Sequence, residues 1–245
     1  MPPPARTCYT EAMPPSLPPS LPPSPLQRLP PWLPYVAPFT LFLALTTLEA
    51  HLPLAAYPVA YAVKIALTVA LLLFFARAYP EARPGGSGWA VAAGLGVLLV
   101  FAWIFVDKHT PHFAFLGSRI GYDPSREIST RAGLLCFLSV RFLGLVVVVP
   151  VVEELFYRSF LLRFVSDLDD FRAVPQGAFT ALALLVSVAA FALAHPEWLA
   201  AALFALAMGL LLRLTRNLFA CILAHGTTNL LLGVYVLHTG QWSYW

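Results

Sequence analysis

Two adjacent glutamates and an arginine stand inside an otherwise apolar stretch of this sequence. Residues 149–158 read VPVVEELFYR, which sets Glu153, Glu154 and Arg158 within two helical turns. Glu154 and Arg158 are four residues apart with the acid first, the favoured order for an ion pair on one helix face. Glu153 lies about 100° round the helix and is left without a local partner. Because desolvation increases the proton affinity of such a carboxylate, we expect Glu153 to act as a general base.

Two further motifs with polar residues follow in apolar surroundings. Residues 191–195 read FALAH and residues 225–229 read HGTTN, so that His225 and Asn229 share a helix face. A helix rise of 1.5 Å per residue places Glu153, His195 and Asn229 about 20, 24 and 17 Å from the helix ends on one membrane side, taken at Ser166, Phe179 and Leu218. A lone intramembrane histidine is more often a packing residue. Polar groups on three helices at matching depths instead predict one functional cavity.

The elements that carry these residues are predicted to be transmembrane helices. Hydrophobic residues make up 59% of the 245 residues and charged residues only 11%, too little polar side chain to cover a soluble protein. Unbroken apolar runs exclude a barrel, whose strands alternate in polarity. The fold class is therefore all-α, a polytopic bundle with its active-site cavity within the membrane. Seven spans are predicted, of which the first and sixth are short: Pro34–Glu49, Ala56–Ala76, Trp89–Val106, Phe142–Phe164, Phe179–Ala194, Trp198–Leu212 and Leu218–Leu237.

Three segments lie outside these spans, and two of them allow alternative interpretations. The amphipathic stretch Arg126–Arg141 either lies at the interface or extends the fourth span, which makes seven or eight spans. The loop Asp107–Arg131 either caps a site or only connects two helices. Residues 1–33 are dominated by proline and are predicted to be a disordered tail, followed by one membrane domain over residues 34–245. Lys64, in the second span, is expected to snorkel to an interface, with no matching acid nearby in sequence.

The charges bear on topology and on partners. A formal net charge of +3 is too small and too scattered to indicate nucleic acid, and the lipid bilayer is the expected surrounding. The positive-inside rule favours a cytoplasmic N-terminus in an inner (plasma) membrane. It does so because these basic residues then fall inside: Arg6, Arg28, Arg77, Arg83, Arg163, Arg172, Arg213 and Arg216. The cysteines, Cys8, Cys136 and Cys221, lack metal or disulfide spacing and are expected to be inert.

The three motifs, in this order, resemble the signatures of the CPBP intramembrane proteases, which include CAAX prenyl endopeptidases of the Rce1 type. They are EExxxR at 153–158, FxxxH at 191–195 and HxxxN at 225–229, within a region of about residues 131–235. The segment around Trp103, Asp107 and His109 also resembles a bacterial CAAX-protease-related branch associated with exosortase systems. The resemblance therefore implies a membrane-embedded or lipidated peptide substrate, and an exosortase system as a further partner.

The family resemblance also implies roles for the site residues. Glu153 and His195 would activate a water that attacks a peptide carbonyl, and His225 and Asn229 would hold the developing oxyanion. Glu154, Arg158 and Phe191 would support the site. A base near water and donors preorganised for negative charge are the main requirements of amide hydrolysis. No cofactor is needed for this mechanism.

Two other readings use the same residues. Zinc accepts two histidines and a glutamate, which here would be His195, His225 and Glu153, although the His-Glu-x-x-His spacing is absent. A non-catalytic scaffold or immunity-type protein would bind a peptide in the same cavity. Other protease types fit poorly, because no Gly-x-Gly-Asp motif occurs and the candidate nucleophiles Ser87 and Ser118 fall in loops without a partnered base.

Overall fold

The structure is a computed structural model that describes residues 29–119 and 121–244. The chain divides into two units, residues 1–31 and 32–245, and all described helices belong to the second. Most of the proline-rich segment therefore lies outside the described residues, and its disorder stays a prediction.

Helices are the secondary structure of the described residues, which contain no strand, and this confirms the all-α fold class. Helices α2, α3, α5, α7 and α8 are long and apolar enough to cross a membrane, whereas α1 and α6 have only 17 and 13 residues. The first and sixth spans were predicted to be short. The first, α1, is short, whereas the sixth, α7, has 18 residues. The eight helices are α1 Leu33–Glu49, α2 Tyr57–Phe74, α3 Trp89–His109, α4 Pro124–Glu127, α5 Arg131–Ser166, α6 Ala181–Leu193, α7 Trp198–Thr215 and α8 Leu218–Thr239.

The amphipathic stretch Arg126–Arg141 mainly extends the fourth span. After the single turn α4, the Thr130 side chain accepts a hydrogen bond from the Gly133 N–H and begins α5, which then runs for 36 residues. At 1.5 Å per residue this helix is about 54 Å long, so it extends well beyond a hydrocarbon core of about 30 Å.

Helix α5 changes its winding on both sides of the glutamate pair. Two π-helical segments, Gly144–Val148 and Glu154–Leu161, flank the α-helical segment Val149–Glu153. Pro150 lies in the first turn of that short α-helical segment, where its missing N–H interrupts the hydrogen-bond ladder. The two π-helical segments lie on either side of this interruption. Such insertions are frequent at functional sites.

Helix α8 is held close to two other helices by glycines. A Cβ added at Gly96 of α3 would lie 2.5 Å from the Ala224 carbonyl oxygen and 2.7 Å from Thr227 Cβ. A Cβ at Gly226 would lie 2.7 Å from the Val146 carbonyl oxygen of α5. Thr228 Oγ1 also donates a hydrogen bond to the Gly96 carbonyl at 3.0 Å. These approaches fix the helix that carries His225 and Asn229.

Replacing Gly96 by alanine is expected to destabilise the protein by about 1–3 kcal/mol, because the added methyl group meets backbone atoms that have little freedom to move. Thermal unfolding in detergent measures the effect. Gly94→Ala is the matched control on the same helix, since a Cβ there has no neighbour within 4 Å. Equal melting temperatures for the two variants would show that α3 and α8 do not need this close approach.

The prediction for Lys64 is wrong. Lys64 is 4% exposed, and its Nζ forms an ion pair with Glu49 and donates a hydrogen bond to Thr46 Oγ1 at 3.3 Å. The acid was overlooked because it stands 15 residues earlier, at the end of α1, and is brought to Lys64 by the packing of α1 on α2.

Candidate active site

A cavity of about 390 Å³ opens among the helices at the end of the bundle where α1, α3, α6 and α8 terminate. Its wall includes Glu153 from α5, His195 after α6, and His225 and Asn229 from α8. All four residues that the sequence singled out for catalysis therefore line one space. Their catalytic roles stay predictions.

The Glu154–Arg158 ion pair predicted from the spacing is present. Arg158 Nε lies 3.2 Å from Glu154 Oε2, and the two side chains are 1% and 0% exposed. The Arg158 guanidinium also lies 4.8 Å from the centre of the Phe191 ring. Arg158 thus connects the acid of α5 to the aromatic ring of α6 that supports His195, which places all three supporting residues in one contact network.

His225 lies between the two glutamates. Its Nδ1 is 2.8 Å from Glu154 Oε1, whereas its Nε2 is 3.8 Å from Glu153 Oε2. An ionised Glu154 only accepts hydrogen bonds, so His225 Nδ1 carries the proton in the shorter contact. This contact fixes the orientation of the ring and directs Nε2 toward Glu153, as a carboxylate does for the histidine of a catalytic triad.

Glu153 is the less constrained of the two acids. It is 8% exposed, and its Oε2 has no hydrogen-bond partner among the described residues. The 3.8 Å separation from His225 Nε2 is too long for a direct hydrogen bond. A carboxylate with an oxygen left over beside a cavity is suited to accept a proton from water.

His195 follows the end of α6 rather than lying inside it. The helix was predicted over Phe179–Ala194, but it begins at Ala181 after the Thr180 cap and ends at Leu193. His195 Nδ1 is 2.7 Å from the Phe191 carbonyl oxygen, and since a carbonyl only accepts, Nδ1 carries the proton there. Its Nε2 is then the atom that can take up a further proton.

Aromatic rings hold the His195 imidazole in place. Phe191 stacks on it with ring centres 4.4 Å apart. Trp103 of α3 packs edge-to-face with it, with ring centres 6.0 Å apart. Phe204 of α7 stacks on Phe191 and contacts the His225 ring at 4.9 Å. The two histidines are therefore packed against the same aromatic cluster, which limits their movement.

Asn229 of α8 is fixed by a hydrogen bond to α5. One of its amide N–H groups donates to the Leu145 carbonyl at 2.9 Å, in the first π-helical segment of α5. The amide has a second N–H, which is the donor that an oxyanion role requires. The same role at His225 needs a proton on Nε2 in addition to the one on Nδ1, and therefore an imidazolium.

Metal binding receives no geometric support here. Among the described residues, no three histidine, cysteine, aspartate or glutamate side chains are arranged to hold a metal ion. This applies to Glu153, His195 and His225, the ligands of the zinc reading. The absence of a cofactor stays a prediction.

Sequence reasoning missed other charged residues on the cavity wall: Glu49, Lys64, Arg119, Arg141 and Glu197. Arg119 belongs to the loop between α3 and α4, and its Nε and Nη2 lie 2.8 and 3.2 Å from the two Glu197 carboxylate oxygens. The loop therefore covers the site, which was one of the two alternatives for it. The useful signal was the position of Glu197 directly after His195-Pro196.

The Arg119–Glu197 pair is ionised over the neutral pH range. Burial alone would raise the pKa of Glu197, but the charge and hydrogen bonds of Arg119 outweigh burial, so this pKa lies below its ordinary value. A carboxylate with a lowered pKa loses its contribution only when the pH falls through that value in the folded protein. The contact between loop and site is thus expected to persist in mildly acidic buffer.

These features define a multi-pass helical membrane protein with a polar cavity inside its bundle. The sequence model of the type II CAAX prenyl endopeptidase Rce1-like family matches residues 136–231. The matched segment contains Glu153, His195, His225 and Asn229, and the match confirms the family resemblance over these residues. No curated protein and no solved structure matches the chain. The exosortase association and the side of the N-terminus stay predictions.

Proposed function

We propose that the protein is an intramembrane glutamic endopeptidase that hydrolyses a peptide bond of a membrane-associated or lipidated substrate. The observation that carries the proposal is the convergence of Glu153, His195, His225 and Asn229 on one cavity. The endopeptidase description of the matched family supports it independently.

The arrangement suits water-mediated hydrolysis. Glu153 accepts a proton as the water oxygen bonds to the carbonyl carbon of the substrate, and His195 Nε2 is the second acceptor near the attacking water. The carbonyl oxygen becomes an oxyanion, for which Asn229 and a protonated His225 supply N–H donors. The carbon–nitrogen bond then breaks, and the proton held by the base passes to the leaving amine.

Glu154 and Arg158 act through other residues in this scheme. Glu154 accepts from His225 Nδ1, and Arg158 neutralises Glu154 while contacting Phe191. Both side chains lie behind the cavity wall, with 0% and 1% exposure. They are positioning residues for His225 and His195.

The test is cleavage of a library of membrane peptides by the purified protein in detergent, read by mass spectrometry with and without a chelator. We expect defined cleavage products that persist with the chelator and disappear with Glu153→Ala. Loss of cleavage in the chelator would favour the zinc reading. Peptide binding without cleavage by wild type and Glu153→Ala alike would instead establish a scaffold.

A further inference from the structure

Arg119 lines the cavity but has no role in the proposed mechanism. It stands outside the family-matched segment, in the loop that covers the site, and its side chain is 34% exposed whereas that of Glu197 is 4% exposed. Glu197 engages Nε and Nη2. The third guanidinium nitrogen, Nη1, takes no part in the pairing with Glu197. Arg119 is therefore a fixed cation with a donor to spare.

The position of this donor depends on the connection between α6 and α7, which carries both Glu197 and His195. Glu197 is two residues beyond His195, in the same connection between α6 and α7, so a movement of the turn moves Arg119. Arg119, Glu153 and His195 all line the same cavity. A guanidinium buttressed by a carboxylate in this way is preorganised, which lowers the entropy that a bound ligand must offset.

We propose that Arg119, held by Glu197, is a substrate-binding residue that donates a hydrogen bond from Nη1 to a peptide carbonyl oxygen next to the scissile bond. The inference rests on the proposed endopeptidase function. A neutral carbonyl fits better than an anionic group, because Glu197 already neutralises Arg119 and Glu153 adds negative charge nearby. Arg119 thus sets the position of the substrate chain relative to Glu153.

Kinetics of the membrane peptide that wild type cleaves provide the test. Loss of one charge-assisted hydrogen bond in Arg119→Gln is expected to raise KM about tenfold with little change in kcat. Arg119→Lys keeps the charge without the planar fork and should restore only part of the affinity. Lys108→Gln is the matched control, because it removes an exposed cation at the end of α3 that does not line the cavity.

A second measurement separates substrate contact from a purely structural link between loop and turn. Replacing the flanking peptide carbonyl by a thioamide weakens the acceptor, so wild type should lose affinity whereas Arg119→Gln should be indifferent to the change. Equal losses in the two proteins, or an Arg119→Gln effect confined to kcat, would overturn the inference. If wild type cleaves no peptide, the proposed endopeptidase function is contradicted. Affinities of labelled peptides for Glu153→Ala, with and without Arg119→Gln, then still decide whether Arg119 binds them.

Discussion

Replacing Glu153 by glutamine is expected to reduce kcat by about 10²–10⁴-fold, the usual contribution of a positioned general base. Glutamine keeps the shape and the carbonyl oxygen of the side chain but cannot accept a proton from water. Because Glu153 Oε2 has no hydrogen-bond partner among the described residues, the substitution breaks no such bond at that oxygen. The melting temperature should therefore stay close to that of wild type. Single-turnover cleavage of the membrane peptide in detergent measures the loss.

Glu127→Gln is the control for this prediction, since Glu127 is an exposed carboxylate in α4 that does not line the cavity. It should retain wild-type kinetics. Glu153→Asp adds a second comparison, because it keeps the carboxylate but withdraws it by one methylene, and intermediate activity is expected. Full activity in Glu153→Gln would remove Glu153 from the role of base and shift attention to His195 alone.

The sequence predicted the fold well where apolar length decides the outcome. Runs of apolar residues identified the long helices, since in a bilayer every backbone polar group must be paired within a helix. The errors occurred at helix ends. Helix α6 was drawn through Ala194, but the Ala194 and His195 N–H groups bond to Phe191 and Ala192 in a tight final turn. Hydropathy does not report such a turn, because the apolar run continues across it.

The residues of the site were predicted more completely than the contacts between them. Periodicity identified the Glu154–Arg158 pair because both residues belong to one helix. It could not reveal that His225 bonds to Glu154, or that Asn229 bonds to Leu145, since these contacts join residues 71 and 84 positions apart. The π-helical segments were missed for a related reason. Only Pro150 signalled an interruption, and a proline does not specify how the helix accommodates it.

The ion pairs made by α1, α2 and the covering loop are a third feature that the sequence did not predict. Glu49 and Lys64 looked unrelated along the chain, and a lone lysine near a helix end suggests snorkelling. Their pairing depends on how two helices pack, which the sequence pattern leaves undetermined. Arg119 and Glu197 are likewise 78 residues apart. The second half of the chain carries the recognisable motifs, whereas the first half contributes much of the cavity wall.

Breaking the buried Glu154–Arg158 ion pair behind the cavity wall is expected to cause the largest loss of stability. Arg158→Leu removes the cation that lies 3.2 Å from Glu154, and leaves a carboxylate of 0% exposure with only His225 as its partner. Breaking a buried ion pair by removing one member costs about 3–5 kcal/mol, because the remaining charge stays desolvated. The contact with Phe191 is lost as well. We expect a large fall in the melting temperature in detergent and loss of cleavage.

The double variant Glu154→Gln/Arg158→Leu distinguishes an uncompensated charge from lost packing. It removes both charges while a glutamine oxygen can still accept from His225 Nδ1, so much of the stability should return. Activity is expected to recover less than stability, since a neutral amide holds the His225 proton more weakly than a carboxylate and stabilises an imidazolium less. If the double variant is no more stable than Arg158→Leu, packing of Arg158 on Phe191 is the main contribution. If activity returns fully with stability, the Glu154 charge has no part in orienting His225, and the pair serves the fold alone.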